Sequence, residues 1–487
     1  MTKHTRAPKV PPRWPAQEEA LQFALERPAC MLDMEMGCGK TRVAIDAIMA
    51  RIEVRTVLVV CPKAVMGVWP RELAKYAEEG SYCTFQRKAG ETVRKTAERL
   101  WDFLNMDKTA GQVTDRIKRI VVINYDSVWR KPLGDYLVRL ADRGDLQMVV
   151  LDESHRAKAA GSKVSKYLAM LGRRVPVRMC LSGTPMANSP LDVYGQYRFL
   201  DRSIFGTNYE SFKQQYAVLG GPERKFVVGY KNQQELMARF RSVAYTCRMS
   251  DVADRIKLPE ALPPVRVGVE LPARDMSTLA DLSEEFVAEC AGGFVTATNV
   301  LVKMLRMQQI CAGFCPVQDA PLEDAETREI NTAKADALRS ILQDLPPDER
   351  VVVFCVFQHD LAEIRRVALL EGRPAFELSG REHTLEDWAD HYGDRGGVIA
   401  VQIQAGAEGV DMTCAHHAVY FSLPHSLALY DQSKARLYRP GQDGRVSFLH
   451  LVAEGTVDEA MYESLQRKRD VIDAIREGTF DFGYMKR

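Results

Sequence analysis

The sequence predicts an α/β protein made of two parallel-sheet blocks with a helical insertion between them. Short apolar, β-branched runs stand at Thr56–Cys61, Ile120–Ile123 and Met148–Leu151, with helical patterns between them such as Val43–Arg51 and Glu91–Leu104. Short apolar strands separated by helices form parallel βαβ units whose sheets are covered on both faces. The alternation returns near residue 334, with strand candidates at Val351–Phe357, Gly397–Val401 and Ala418–Phe421. Between the two blocks, from 190 to 330, strand-like runs are few, and Ser283–Cys290 and Thr298–Ile310 read as helical. Asp319–Glu329 is acidic, contains a proline and lacks periodicity, so it reads as a surface linker.

The 487 residues are enough for about three domains at roughly 100–200 residues each. Apolar residues at 46% and charged residues at 27% exclude a mostly disordered chain, which could not bury enough apolar surface. No run approaches the roughly 18 apolar residues of a membrane-spanning helix. The 66 Lys+Arg against 65 Asp+Glu leave a net charge of +1, which excludes a uniformly basic coat. Any nucleic acid is then held by a local basic groove. The opening MTKHTRAPKVPPRWP is basic but has no apolar core, so it is not a secretory signal. Eleven cysteines at irregular spacing read as reduced thiols of a cytoplasmic protein. Cys311 and Cys315 form a lone C-x3-C with no second pair at zinc spacing, and helix packing is the expected role.

Gly37-Cys38-Gly39-Lys40-Thr41 follows an apolar stretch and precedes the helical run Arg42–Ala50. That is the strand–loop–helix setting of a phosphate-binding loop. Glycines let successive backbone N–H groups converge on phosphate oxygens, and the helix N-terminus adds partial positive charge. Lys40 would reach the β/γ-phosphates of ATP and the Thr41 hydroxyl would ligate Mg²⁺. The opening glycine of the strict pattern would fall at Met34, so that pattern is not met. Residues 148–155 form an apolar strand ending in Asp152-Glu153-Ser154-His155. Asp152 would hold Mg²⁺ through water and Glu153 would polarise the attacking water. Together the two motifs point to a nucleotide hydrolase.

Here the residues resemble a known family. Asp152-Glu153-Ser154-His155 is similar to the DEAH-type box of superfamily 2 helicases and translocases. Leu181-Ser182-Gly183-Thr184-Pro185, with Asn188, resembles the next motif in its Swi/Snf form. The implied task of that motif is to sense the γ-phosphate and couple it to nucleic acid. Ala405-Gly406-Ala407-Glu408-Gly409-Val410-Asp411-Met412-Thr413 resembles the family's Ala-Gly-Gly-x-Gly-Ile-Asn-Leu-Thr segment. Gln432-x3-Arg436-x2-Arg439-x2-Gln442 resembles its last motif. Two arginines at i and i+3 share a helix face, and such a pair can neutralise charge on a transferring phosphoryl group; a solvated basic face is the alternative. Arg13-Trp14-Pro15-Ala16-Gln17 resembles the segment whose glutamine grips adenine, with Trp14 placed to stack nearby.

The resemblance runs from Arg13 to Lys468. Thr246-Cys247-Arg248 with Leu258-Pro259, the helix Leu305–Cys311, and a closing brace at Val457–Lys468 also fit it. It implies two RecA-like lobes. The first is 1–190, helical protrusions and linker occupy 191–330, and the second lobe with its brace is 331–487. Gln402-Ile403-Gln404 stands where the family often has Ser-Thr-Lys/Arg, Tyr438 where it usually has His, Asp411 for a frequent Asn and Ala407 for Gly. None of these removes a residue that hydrolysis needs, and together they suggest a divergent viral or bacterial branch.

The resemblance implies a DNA-dependent ATPase that translocates on double-stranded DNA, with ATP and Mg²⁺. Lys40, Asp152, Glu153, Arg436 and Arg439 would be catalytic. Gln17, Gly37, Cys38, Gly39, Lys40, Thr41, Gly409 and Asp411 would hold the nucleotide, and Thr41 and Asp152 the metal. DNA contacts would come from Lys63, Asn124, Tyr125, Ser182, Gly183, Thr184, Ser379, Gly380 and Gln404. Trp69 belongs to the Lys63 segment but reads more readily as core. Arg173-Arg174, Arg365-Arg366, Arg467-Lys468-Arg469 and the arm from Lys3 to Arg13 would line the groove or serve as solvated faces. A monomer in a bacterial or phage-infected cytoplasm is expected, with no membrane. The alternatives are a strand-separating superfamily 2 helicase acting on DNA or RNA, and a non-catalytic DNA-binding adaptor. Cys38, at a helix N-terminus, invites a redox switch through a lowered thiol pKa, with plain packing the stronger reading.

Overall fold

The computed structural model describes residues 10–88, 90–110, 117–186, 189–220, 226–256, 258–260, 262–285, 287–290, 293–296, 300–317, 326–391, 396–406 and 410–477. The chain divides into two compact units, 1–256 with 471–487, and 257–470.

The first unit is built on a seven-stranded sheet. Its strands β1 (Ala29–Met34), β2 (Thr56–Cys61), β3 (Tyr82–Gln86), β4 (Lys118–Asn124), β5 (Met148–Asp152), β6 (Val177–Ser182) and Ala244–Cys247 lie in the order β3-β4-β2-β5-β6-β1-(Ala244–Cys247). All pairings are parallel. Every residue of β1, β2 and β5 is buried, as a strand covered by helices on both faces requires. Parallel pairing needs crossover helices, and α2 (Lys40–Ala50) and α3 (Val68–Tyr76) are among them, while α1 (Pro15–Leu25) precedes β1. The register sets Asp33 opposite Ser182 and Asp152 opposite Leu181, so three motif segments end along one rim. Ligands of open parallel sheets bind at that carboxyl rim.

The second unit carries a six-stranded parallel sheet in the order Val265–Val269, Ser447–Ala453, His417–Tyr420, Val351–Cys355, Val398–Gln402, Ala375–Leu378. The two expected α/β blocks are therefore present. The middle of the chain holds more strand than its sequence suggests. Ala217–Gly220 pairs with Phe226–Tyr230, Val287–Cys290 with Gly293–Thr296, and Phe314–Val317 with Glu326–Glu329, all antiparallel. Ser283–Cys290 is thus not one helix: the helix Ala273–Glu285 ends and a strand follows. Glu326–Glu329 is a strand rather than linker. These strands are only four or five residues long, too short for alternation to register, and Glu326–Glu329 is largely exposed as well. Cys311 ends a helix and Cys315 lies in the following hairpin, both buried. Among the described residues no helix is long and apolar enough to cross a membrane.

Candidate functional site

The phosphate loop forms where β1 meets α2. Gly37 and Gly39 take left-handed φ values of 89° and 85°, conformations open to glycine at little cost. Gly39 is the N-cap of α2, which leaves the first helical N–H groups without partners in the helix, directed at the loop. Lys40 is buried and its Nζ donates to Glu35 O at 3.5 Å. A side chain at Gly39 would meet Gln17, whose Nε2 lies 2.3 Å from the position of an added Cβ. Gln17 is buried; its Nε2 donates to Cys38 O at 3.3 Å and its Oε1 accepts from Trp14 N at 3.2 Å. The Gln17 amide therefore backs the phosphate loop. Beside it lies a cavity of about 380 Å³ whose lining includes Trp14, Glu19, Tyr245, Cys247 and Asp251.

The thiol of Cys38 is pushed up, first by its hydrogen bond with Cys247 and then by burial. This corrects the expectation of a thiol lowered by the helix terminus: the helix field is outweighed by an apolar setting and a second thiol. Edge strand Ala244–Cys247 is pinned to β1 by Arg248, whose Nη2 lies 3.1 Å from Asp33 Oδ2.

Asp152 and Glu153 stand at the end of β5. Asp152 is buried and raised to about 6, first by burial and then by the neighbouring Glu153 charge, against the pull of Trp69 and Lys40. Trp69 Nε1 donates to Asp152 Oδ2 at 2.9 Å. The indole is fully buried, as the packing reading held, and it also orients a motif carboxylate, which that reading missed. Lys63, in the short helix before it, is exposed. Glu153 takes a left-handed backbone, φ 51° and ψ 54°, and its Oε2 is buried without a hydrogen-bond partner. A strained non-glycine backbone is stored at a site only where its surroundings hold it. His155 is lowered to about 3 by burial and by the charges of Lys158 and Arg156. It is therefore neutral near pH 7, and its 3.4 Å approach to Glu153 Oε2 is not an ion pair.

The turn after β6 lies against the phosphate loop. A Cβ on Gly183 would fall 3.3 Å from Met34 O and Met36 N and 3.5 Å from Lys40 Nζ. Thr184 Oγ1 is buried without a hydrogen-bond partner. Ser182 and Tyr125, expected to offer hydroxyls to DNA, are buried instead. Ser182 Oγ accepts from Thr184 N at 3.1 Å, and Tyr125 OH donates to Asp152 O at 2.8 Å. Asn124 is buried too, with an unpartnered Oδ1.

In the second unit, Arg436 lies in the last turn of the helix Leu427–Leu437. Arg439 lies beyond its end, so the two do not share a helix face. A residue preceding proline disfavours the helical region, and Pro440 follows Arg439. Arg439 Nη1 donates to Val410 O at 3.3 Å. Gln442 is buried, and its Nε2 donates to Ala415 O at 3.0 Å and Leu437 O at 3.1 Å, which ties this loop to the preceding segment. Asp411 is exposed and its Oδ1 accepts from Thr413 N at 3.0 Å, capping a turn. Ser379 Oγ donates to Glu377 Oε1 at 2.6 Å, while Gly380 and Gln404 are exposed. Ala407, Glu408, Gly409, Asn188 and most of the N-terminal arm lie outside the described residues.

Several expected groove cations are spent in ion pairs. Arg13 Nε lies 2.7 Å from Asp46, Arg174 Nε 2.9 Å from Asp142, Arg365 Nη1 3.0 Å from Glu377, and Arg366 Nη2 2.6 Å from Glu363. Arg467 Nη2 lies 3.7 Å from Glu463.

Comparison with known proteins agrees with the motif pattern. The SNF2-related domain matches residues 16–311, and the Helicase conserved C-terminal domain matches 333–441. The mouse (Mus musculus) DNA annealing helicase and endonuclease ZRANB3 is 24% identical over 95% of this chain and 41% of its own length. Protein p41 of Acyrthosiphon pisum secondary endosymbiont phage 1 is 25% identical over 91% of this chain and 93% of its own. The Sulfolobus solfataricus SWI2/SNF2 ATPase core in complex with dsDNA aligns at a TM-score of 0.41 and 20% identity, covering 96% of this chain and 94% of that one. The chain spans about two fifths of the length of ZRANB3 and nearly all of the phage protein. With its first family match alone covering 296 of 487 residues (16 to 311), the chain belongs to the SNF2-related domain family.

Proposed function

We propose that this protein is a DNA-dependent ATPase that couples ATP hydrolysis to translocation along double-stranded DNA. The observation that carries the reading is the convergence of three segments on one sheet rim. The phosphate loop, Asp152-Glu153 and the Ser182–Pro185 turn meet there, with Gly183 in contact distance of the loop and of Lys40. Family membership brings nucleotide use with it, and the DNA-acting relatives support DNA as the track.

In this reading the N–H groups of Gly37–Thr41 and Lys40 hold the ATP phosphates, with Gln17 fixing the loop's shape next to the base. The residues present fit Mg²⁺: a carboxyl kept high by burial and by an adjacent carboxylate, an orphaned Glu153 Oε2 and the Thr41 hydroxyl are the groups a divalent cation would relieve. Bound there through Thr41 and Asp152, the cation would offset phosphate charge. Glu153 orients water for attack and takes up its proton. Arg436 and Arg439 would neutralise charge on a transferring phosphoryl. Gly409 and Asp411 complete the nucleotide contacts. Lys63, the 182–184 turn, Ser379, Gly380 and Gln404 grip the DNA backbone. The first unit acts as the ATP-binding lobe, reaching past the expected boundary at 190 to the edge strand Ala244–Cys247, and the second unit, whose sheet already includes Val265–Val269, acts as the other lobe. The protein works as a monomer in a bacterial or phage-infected cytoplasm.

The test is ATP turnover without nucleic acid and with duplex DNA, single-stranded DNA or RNA. Stimulation by duplex DNA, abolished by Glu153→Gln, is the expected result. Stimulation only by RNA or single strands would replace this reading with a helicase. No turnover under any condition would refute it.

A further inference from the structure

Gln196 lies in the helix Val193–Leu200 and is fully buried. Its neighbours on that helix include the buried aromatics Tyr194, Tyr197 and Phe199, so packing alone would favour an apolar side chain at 196. The amide is instead closely bonded. Its Oε1 accepts from Ser154 Oγ at 2.7 Å, and its Nε2 donates to Pro185 O at 2.7 Å and to Asp192 O at 3.0 Å.

Two of these partners matter for chemistry. Ser154, itself fully buried, follows Glu153 directly. Pro185 closes the Ser182–Pro185 turn, in which Gly183 packs against the phosphate loop. Glu153 sits in a left-handed backbone that is strained for a residue with a side chain, so its orientation depends on the bonds made beside it. The Ser154–Gln196 bond is one of them, and its other end is anchored on the turn.

We propose that Gln196 is a positioning residue that couples the Ser182–Pro185 turn to the orientation of Glu153. The inference rests on the ATPase reading above and deepens it by naming the link through which DNA contact at the turn reaches the hydrolysis box. A shift of the Pro185 carbonyl pulls on the Gln196 amide, which pulls on the Ser154 hydroxyl one residue from Glu153. A leucine at 196 fills similar space but removes the acceptor of that hydroxyl and the donor to that carbonyl, which severs the link.

The experiment measures ATP turnover with and without duplex DNA in the full chain carrying Gln196→Leu, Ser154→Ala, or both. With Gln196→Leu, stimulation by DNA falls about tenfold, an ordinary size for coupling between sites, while the KM for ATP and the unstimulated rate stay within about twofold. Ser154→Ala lowers the stimulation ratio similarly. The double variant is no worse than the poorer single one, because both remove the same link. Full stimulation in Gln196→Leu, parallel loss of stimulated and unstimulated rates, or additive losses would each overturn the proposal. Should Gln196→Leu fail to fold, Ser154→Ala, which deletes one hydroxyl, decides by the same ratio. A wild-type protein without DNA-stimulated turnover would sink the underlying ATPase reading; a stimulated wild type with unaffected variants sinks only the link.

Discussion

Asp152 in the first unit and Asp360 in the second are both buried, and burial raises both carboxyls, Asp152 to about 6 and Asp360 to about 7. Their surroundings differ. Asp152 has a second carboxylate beside it, a lysine nearby and an indole N–H on one oxygen. Asp360 faces donors: Ser422 Oγ at 2.6 Å and Phe357 N at 3.3 Å, the latter at the start of the helix Gln358–Leu370. The Lys334–Asp458 ion pair, in which Lys334 Nζ also donates to Phe421 O at 3.0 Å, lies close enough to act on its charge. The same desolvation penalty therefore serves two ends. Adjacent carboxylates leave negative charge that a cation can relieve, whereas a hydroxyl and a backbone N–H make a helix cap.

The largest test of that contrast is Glu153→Gln. It should lower DNA-stimulated turnover about 10²–10⁴-fold, the usual contribution of a positioned general base, with nucleotide binding retained. Turnover and binding measured on one preparation check it; an active variant would place the base elsewhere.

Asp360→Asn tests the second unit. Between the ordinary value of 3.8 and about 7, the native state keeps a proton that the unfolded chain has released, so stability falls as pH rises through that window and levels off above it. From pH 5 to 8 the loss is about 2–3 kcal/mol. Asparagine keeps an acceptor for Ser422 and Phe357 and removes the dependence. Denaturant midpoints at the two pH values report it, and an equal slope in both proteins would show that Asp360 does not titrate there.

Trp69→Phe keeps the buried ring but removes the donor to Asp152, a bond to a charged group worth about 1.5–3 kcal/mol. The Mg²⁺ concentration for half-maximal turnover should rise about tenfold, while an unchanged requirement would leave Trp69 a packing residue. The smallest effect is expected at Lys63. Lys63→Ala should reduce the salt dependence of DNA affinity by about one unit of slope, as loss of one phosphate contact does, and an unaltered slope would remove Lys63 from the interface.

What was legible in advance was what local chemistry dictates. Apolar β-branched runs marked the central strands because a strand covered on both faces must be apolar along its whole length. Glycines before Lys40 marked the phosphate loop because no other residue takes those φ values so cheaply. The hairpin Phe314–Val317 with Glu326–Glu329 was not legible, since strands of four residues carry almost no period. The arginine pair was read as one helix face because spacing alone does not show where a helix stops, although Pro440 was a signal.

The partners of buried polar groups depend on the fold. Trp69 and Asp152 are 83 residues apart, and Ser154 and Gln196 are 42 apart. No spacing rule connects them. Neighbouring residues in the chain are enough to specify the apolar central strands, the phosphate loop and the family. Tertiary structure alone decided which carboxylate gained an indole, which thiol met a second thiol and which glutamine bridges two motifs. Those depend on which side chains the sheet order places side by side, away from water, where each polar atom must find a partner.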